Sequence, residues 1–384
     1  MRWLAIVAIG LGMTFNAQAQ EKIRVGIIGP FSGPFAAVGA QFRQGIETYI
    51  AMNGTKAGDR EVELIFRDQS GTNPATAKRL AEELIVRDKV SLIGGLYLSP
   101  EATAVAPVAN ETKTPFVLFV PAAPLVVKQS PFFIRGGSNS LLHAGSQAVW
   151  ALKNNYKRIY IAVSDYAPGH DTQAHIKQLI QAGGGTIVGE DRMPLNTVDY
   201  APFAERIANA KPDALLMFLP NGAPAVSFFK ALGAQGVLRS KIGIIGQAET
   251  DDPDLKLFDD SIIGVHTAIF YSSLAPYEAN RKFKEALTRK SPDYIPGFPT
   301  LAAFDGMTLL YRMIDSQKGK TFDGASAIKA VEGFSWESPR GVATIDPATR
   351  DMITNIFIRR VEKVDGKLVN RIVDTFTAQK PPTQ

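Results

Sequence analysis

Cysteine is absent from all 384 residues. That excludes disulfides, thiolate metal sites and thiol nucleophiles, so stability must come from packing alone. An excess of one charge is missing too. Lys and Arg number 42 against 37 Asp and Glu, a formal net charge of +5, and no long basic run occurs, so a nucleic-acid partner is not expected. The enzyme signatures that a sequence can display are also lacking. No Gly-x-Gly-x-x-Gly follows the first apolar run, no Gly-x-x-x-x-Gly-Lys-Ser/Thr phosphate loop is present, and there is no Gly-x-Ser-x-Gly elbow. Histidine is scarce: His143, His170, His175 and His266. His170 and His175 stand five apart, which separates them around a helix instead of stacking them as metal ligands, and they read as surface residues. No metal, cofactor or catalytic residue is expected.

Long apolar runs are the last absence. Leu4 to Phe15 is too short for a bilayer, which takes about 20 residues, and no other segment comes close. With Arg2 before it and Ala17-Gln18-Ala19 after it, the stretch has the layout of a secretory signal over residues 1–19, the mature chain starting at Gln20. Export to the periplasm is expected. No cysteine follows the signal, so a lipid anchor has no attachment point.

The remaining 365 or so residues exceed one comfortable core and suggest two lobes. Lys22 to Gly29 is a β-branched apolar run ending in Gly-Pro, as a buried parallel strand would. Gly39 to Met52 follows with Phe42, Ile46, Tyr49 and Ile50 on one helical stripe, closed by Asn53-Gly54. The strand–loop–helix unit recurs through Val120 and again from Leu141 to Gly246, while Asp365-Gly366 turns a terminal hairpin of Asn355–Val364 and Lys367–Asp374. This alternation predicts an α/β fold of two doubly wound parallel-sheet lobes.

Open parallel sheets bind ligands at the carboxyl ends of their strands. In the first half those loops are Pro30 to Phe35, Gly95-Leu96-Tyr97-Leu98-Ser99 and Pro121-Ala122-Ala123; in the second they are Ser164 to Gly169, Pro220-Asn221-Gly222 and Gln247-Ala248-Glu249-Thr250. Ser99 before Pro100 reads locally as a helix N-cap, and its hydroxyl also offers a donor to a carboxylate beside the helix N-terminus. Glu249 stands either as a partner for a ligand ammonium or, with Asp251-Asp252, as a solvated acidic loop. Tyr97 and Tyr166 either cover an apolar part of a ligand or simply pack, and Asp165 either contributes to the site or holds its own turn.

Arg24-Val-Gly-Ile-Ile-Gly-Pro-Phe-Ser-Gly-Pro-Phe with Gly39, Leu92-Ile-Gly-Gly with Ser99, Ala106-Pro-Val-Ala, Pro121-Ala-Ala, Asp165-Tyr-Ala-Pro-Gly-His-Asp and Ala303-Phe-Asp-Gly follow one another in this order. Together they resemble the branched-chain amino-acid-binding family of periplasmic solute receptors, a type I fold also used by amide sensors. The resemblance implies a monomeric receptor for an inner-membrane ABC permease, with three crossovers near Arg135, Thr267 and Ala343. It places residues 20–135 with 268–342 in lobe 1 and 136–267 with 343–384 in lobe 2. By position it implies ligand contacts at Phe35, Tyr97, Leu98, Ser99, Ala122 and Ala123 on one side, and at Tyr166, Asn221 and Glu249 on the other.

The chain departs from family members that bind aliphatic amino acids. Tyr97-Leu98 replaces a Ser-rich loop, Pro124 stands where a Thr is common, and Glu249 lies one residue late for the ammonium-binding acid. A less polar pocket follows, and with it a choice between an amino acid and an aromatic or other hydrophobic carboxylate. A receptor that signals to a partner, in place of feeding a permease, is the alternative role.

Overall fold

The computed structural model describes residues 22–382, so the expected signal segment lies outside the described residues. Two sheets organise the chain. The first contains Lys22–Gly29 (β1), Lys56–Ala57 (β2), Arg60–Asp68 (β3), Leu92–Gly95 (β4), Phe116–Leu118 (β5) and Phe133–Arg135 (β6), in the spatial order β2-β3-β1-β4-β5-β6. Only the β2/β3 edge is antiparallel. β1 sits inside, buried without interruption from Val25 to Gly29, because helices cover both faces of a parallel sheet and leave no solvent side for polar residues. The covering helices are Ala36–Asn53 (α1), Pro74–Val86 (α2) and Ser99–Thr112 (α3), with α2 packed on α3.

The second sheet repeats the plan. Its parallel part comprises Arg158–Ser164 (β7), Thr186–Met193 (β8), Ala214–Phe218 (β9), Gly243–Gly246 (β10) and His266–Ile269 (β11), ordered β8-β7-β9-β10-β11. Ser140–Lys153 (α4), Ala167–Ala182 (α5), Ala201–Ala210 (α6) and Ala223–Ala234 (α7) precede or link these strands. An antiparallel extension follows: Ser335–Ser338 (β12), Gly341–Ile345 (β13), Met352–Val364 (β14) and Lys367–Gln379 (β15), β14 pairing with β11. The β14/β15 hairpin turns at Asp365-Gly366, both with positive φ (49° and 77°), as an Asp-Gly turn requires. It runs beyond the expected ends. The β12/β13 hairpin was not foreseen, being two short strands without clear alternation.

In each sheet the first strand lies inside, the next parallel strand on one side of it (β3, β8) and the one after that on the other (β4, β9). The topological switch points therefore fall between β1 and β4 and between β7 and β9. The chain passes between the sheets three times: after Arg135, after Ile269, and ahead of Ser335. Between the last two passages Glu278–Lys290 (α8) and Phe298–Asp315 (α9) return to pack on α1.

Among the largest fully buried side chains are three arginines, Arg135, Arg340 and Arg359. Each serves a passage. Arg135 pairs with Asp351 and donates to the carbonyls of Pro121 and Ala123. The Arg340 guanidinium pairs with Asp305 of α9 and donates to the carbonyls of Gly136 (2.8 Å) and Gly137 (3.0 Å). Arg359 donates to the Tyr271 carbonyl and the Thr267 hydroxyl, both at 3.1 Å, with Asp251 and Asp252 at 3.7 and 3.6 Å. Guanidinium suits these places, since its planar fork holds several carbonyl and carboxylate oxygens at once and keeps its charge when buried. Asp305 also accepts from Trp336 Nε1 (3.0 Å) and Ser338 Oγ (2.8 Å), so the Ala303-Phe-Asp-Gly segment anchors the third passage.

Candidate functional site

A cavity lies where the two switch points face each other, the place where open parallel sheets bind their ligands. From the first sheet, the loop after β4 supplies Tyr97, Leu98 and Ser99, and the loop after β5 supplies Val120 and Ala122. The β4 loop turns sharply. Gly95 has φ 120°, and a Cβ there would fall 2.0 Å from the Ile28 carbonyl oxygen, so only glycine fits; Leu96 follows with φ 65°, a left-handed conformation unusual for a buried leucine.

Ser99 is the first residue of α3 and not its cap. Its neighbour Glu101 does that work, one carboxylate oxygen accepting from the N–H groups of Leu98 (2.7 Å) and Tyr97 (3.3 Å). Burial pushes the Glu101 carboxyl up to about 7. Freed from capping, the Ser99 hydroxyl oxygen accepts from the Ala123 N–H at 3.0 Å, which leaves its own proton to donate. The Ala123 N–H is thereby taken and its carbonyl meets Arg135, so Ala122 is the alanine of that pair that borders the cavity.

The second sheet supplies Tyr166 after β7, Phe218 to Asn221 at the end of β9, and Gln247 and Ala248 after β10. Tyr166 stacks on Phe218 with centroids 5.9 Å apart and an interplanar angle of 11°. Asn221 is buried and joins the two bodies: it accepts from the Tyr97 hydroxyl (2.8 Å) and donates to Asp254 (3.0 Å). Phe35 stands behind Tyr97, ring centroids 5.1 Å apart, and supports it without bordering the cavity. Burial holds both tyrosine hydroxyls far above their ordinary range, so they are neutral donors.

Glu249 lies behind the wall. It is fully buried, and its two oxygens accept from the backbone N–H groups of Leu219 (2.7 Å) and Gln247, stapling the loops after β9 and β10. Burial raises its carboxyl to about 7 despite those bonds. Asp251 and Asp252 are buried as well, beside Arg359, so the solvated acidic loop is replaced by an internal ion cluster. A sequence shows carboxylates but not the buried cation that draws them inward.

Several wall residues were not singled out from the sequence: Ser138 just before α4, His143 in its first turn, and the rings of Phe218, Phe270 and Phe298. Phe270 and Phe298 come from the second passage and α9, remote in sequence from the strand ends. The apolar strand-end of β9 could have pointed to Phe218. His170 and His175 are half-exposed, His170 bonding Asp165 at 2.6 Å. Among the described residues no cluster of metal-ligating side chains occurs.

Among the described residues no Asp, Glu, Lys or Arg borders the cavity. Its walls are aromatic and aliphatic with a few neutral polar groups, two of which, Ser138 Oγ and His143 Nε2, are buried without a hydrogen-bonding partner. Such a wall suits a flat apolar body, and the Ser99 hydroxyl proton at the N-terminus of α3 offers a donor beside it.

The sequence model for periplasmic binding proteins matches residues 22–367. The chain belongs to the periplasmic binding protein family. A relative from Brucella melitensis named Leu/Ile/Val-binding protein homolog 6 is 35% identical over the whole of this chain and 99% of its own. A solute-binding protein of an ABC transporter from Rhodopseudomonas palustris HaA2, solved in complex with p-hydroxybenzoic acid, is 37% identical with a TM-score of 0.91, covering 94% of this chain and 98% of that one. Its counterpart from R. palustris BisB5, solved with 3,4-dihydroxybenzoic acid, is 38% identical with a TM-score of 0.90, over 94% and 99% of the two chains. The two-lobed type I fold is common to all of these structures, and the family is one of solute-binding proteins that work in the periplasm.

Proposed function

We propose that this periplasmic binding protein is the receptor of an ABC importer for a small aromatic carboxylate, caught between its two lobes. The observation that carries the reading is the aromatic-walled cavity with no charged side chain among the described residues on its wall, the nearby acids Glu249, Glu101 and Asp254 being committed to backbone amides and to Asn221. An α-amino acid carries an ammonium, and burying one without a carboxylate is costly. A benzoate-like acid has no such need. In this reading Ser99 Oγ and the backbone around Ala122 receive the carboxylate, with the dipole of α3 behind them. The rings of Tyr97, Tyr166 and Phe218 enclose the body, and Leu98 and Asn221 complete the walls.

The names of the relatives point both ways, to Leu/Ile/Val and to hydroxybenzoates, and the wall chemistry sides with the aromatic acids. Isothermal titration of the refolded, ligand-free protein with benzoate, 4-hydroxybenzoate, 3,4-dihydroxybenzoate, leucine, isoleucine and valine tests the choice. Aromatic acids are expected to bind and the amino acids not to. Binding of leucine with silence from every aromatic acid overturns the reading.

A further inference from the structure

The buried amides beside the cavity fix each other's orientation. Gln147 of α4 donates through Nε2 to two backbone carbonyls, Met217 O at 2.9 Å and Ile245 O at 2.8 Å. Carbonyls only accept, so the amide nitrogen must face them and Oε1 must face the other way. Gln147 Oε1 then accepts from Gln247 Nε2 at 3.0 Å, which settles the second amide as well. The atom that Gln247 presents to His143 is its oxygen, 3.3 Å from Nδ1.

An oxygen acceptor facing Nδ1 places the imidazole proton there. Burial drives the His143 pKa down to about 4, with Arg135, Arg340 and Arg359 adding to the effect, so the ring is neutral and carries that one proton. Nε2 is left as a bare lone pair, buried and without a partner among the described residues. The ring is held by Phe270, nearly parallel at 22° with centroids 5.9 Å apart, and the residue borders the cavity. A carboxylate cannot satisfy this nitrogen, since both are acceptors.

We infer that His143 Nε2 is a specificity-determining acceptor that selects, among aromatic carboxylates, those carrying a hydrogen-bond donor such as a ring hydroxyl. The inference rests on the aromatic-acid reading above and deepens it. The carboxylate lies at the donors around Ser99, and the hydroxyl, at the far end of the ring, donates to the imidazole. A site built to pair with a hydroxyl rejects the analogue lacking it more strongly than an apolar pocket rejects an added group, because its own buried acceptor is left unpaired.

Two measurements test it on the intact chain. In titrations, 4-hydroxybenzoate is expected to bind at least about tenfold more tightly than benzoate and than 4-methoxybenzoate, whose oxygen has no proton to give. In the His143→Leu variant the hydroxyl preference is expected to shrink to about twofold or less. Equal affinity of wild type for all three acids overturns the inference and leaves the aromatic-acid reading standing; failure of every aromatic acid removes both. Should the variant not fold, long-range 1H–15N correlation of the four histidines in wild type reads the tautomer directly. Protonation of His143 at Nδ1 is expected, and protonation at Nε2 overturns the inference.

Discussion

Replacing Tyr97 by Phe deletes one hydroxyl and should weaken ligand binding although the ring is kept. Its proton joins Asn221 across the cleft at 2.8 Å, a contact available only when the two bodies are together. The net value of such a bond is about 0.5 to 1.5 kcal/mol, and a buried acceptor left alone costs about 1 to 3 kcal/mol. Asn221 Oδ1 would be that acceptor, while its amide nitrogen keeps Asp254. A loss of about 1 to 3 kcal/mol falls wholly on the closed state. Where the ligand-free protein is mostly open, Kd rises by the same factor, about 5- to 150-fold. Titration of wild type, Tyr97→Phe, Asn221→Ala and the double variant separates the shared bond from packing, with an expected coupling of at least about 0.5 kcal/mol. X-ray scattering of the ligand-free forms reports whether the variant rests more open. An unchanged Kd together with zero coupling refutes the reasoning.

Ser99→Ala removes the proton proposed to meet the carboxylate, and an increase in Kd of about 5- to 150-fold is expected by titration; no change reduces Ser99 to a support for Ala123. Glu249→Gln places an NH2 group against a backbone N–H, so thermal or denaturant unfolding should show a loss of about 1 to 3 kcal/mol while aromatic-acid affinity changes little. A large affinity loss without a stability loss would mean the carboxylate faces the ligand. Arg340→Met strands Asp305 in the interior, with an expected cost of about 3 to 5 kcal/mol in denaturant unfolding; a cost below about 1 kcal/mol contradicts the anchoring role. Stability should also depend on pH. Glu101 and Glu249 are raised to about 7 from 4.5, so the stability they contribute is full below pH 4.5 and declines as pH rises through 7. His143 and His266 are depressed to about 4 from 6.5, so theirs is present above 6.5 and lost as pH falls toward 4. From these four groups, thermal scans of the ligand-free protein should show a broad maximum at roughly pH 5.5, and a steady rise from pH 6 to 8 counts against it.

The sheets were legible because buried parallel strands write themselves as continuous apolar runs: β1 ends where Lys22 to Gly29 predicts, and α1 differs from the expected Gly39 to Met52 only at its margins. The loops that meet at the cavity were legible for the same reason, since they follow those strands. Tyr97, Leu98, Ser99, Ala122, Tyr166 and Asn221 border the cavity or its rim of bonds, whereas Phe35, Ala123 and Glu249 stand one layer behind. That last distinction depends on whose hydrogen bond a group makes. Ser99 looks like a cap until Glu101 is seen to take the helix end, and Glu249 looks free until Leu219 and Gln247 claim its oxygens. His143 gave no signal because its role depends on Gln147 and Gln247, partners four and 104 positions away that meet only in the folded chain.

The three buried arginines tie the passages to one another as well as to the lobes. Arg340, in the β12/β13 turn just past the third, grips the carbonyls of the first at Gly136 and Gly137, and Arg135, ending the first sheet, grips Asp351 at the start of β14. Cords laced at their crossing cannot slide or twist separately. The joint is thereby held as one piece and not as three separate hinges. The lacing also makes the joint fragile as a unit, because damage to any one passage loosens its neighbours.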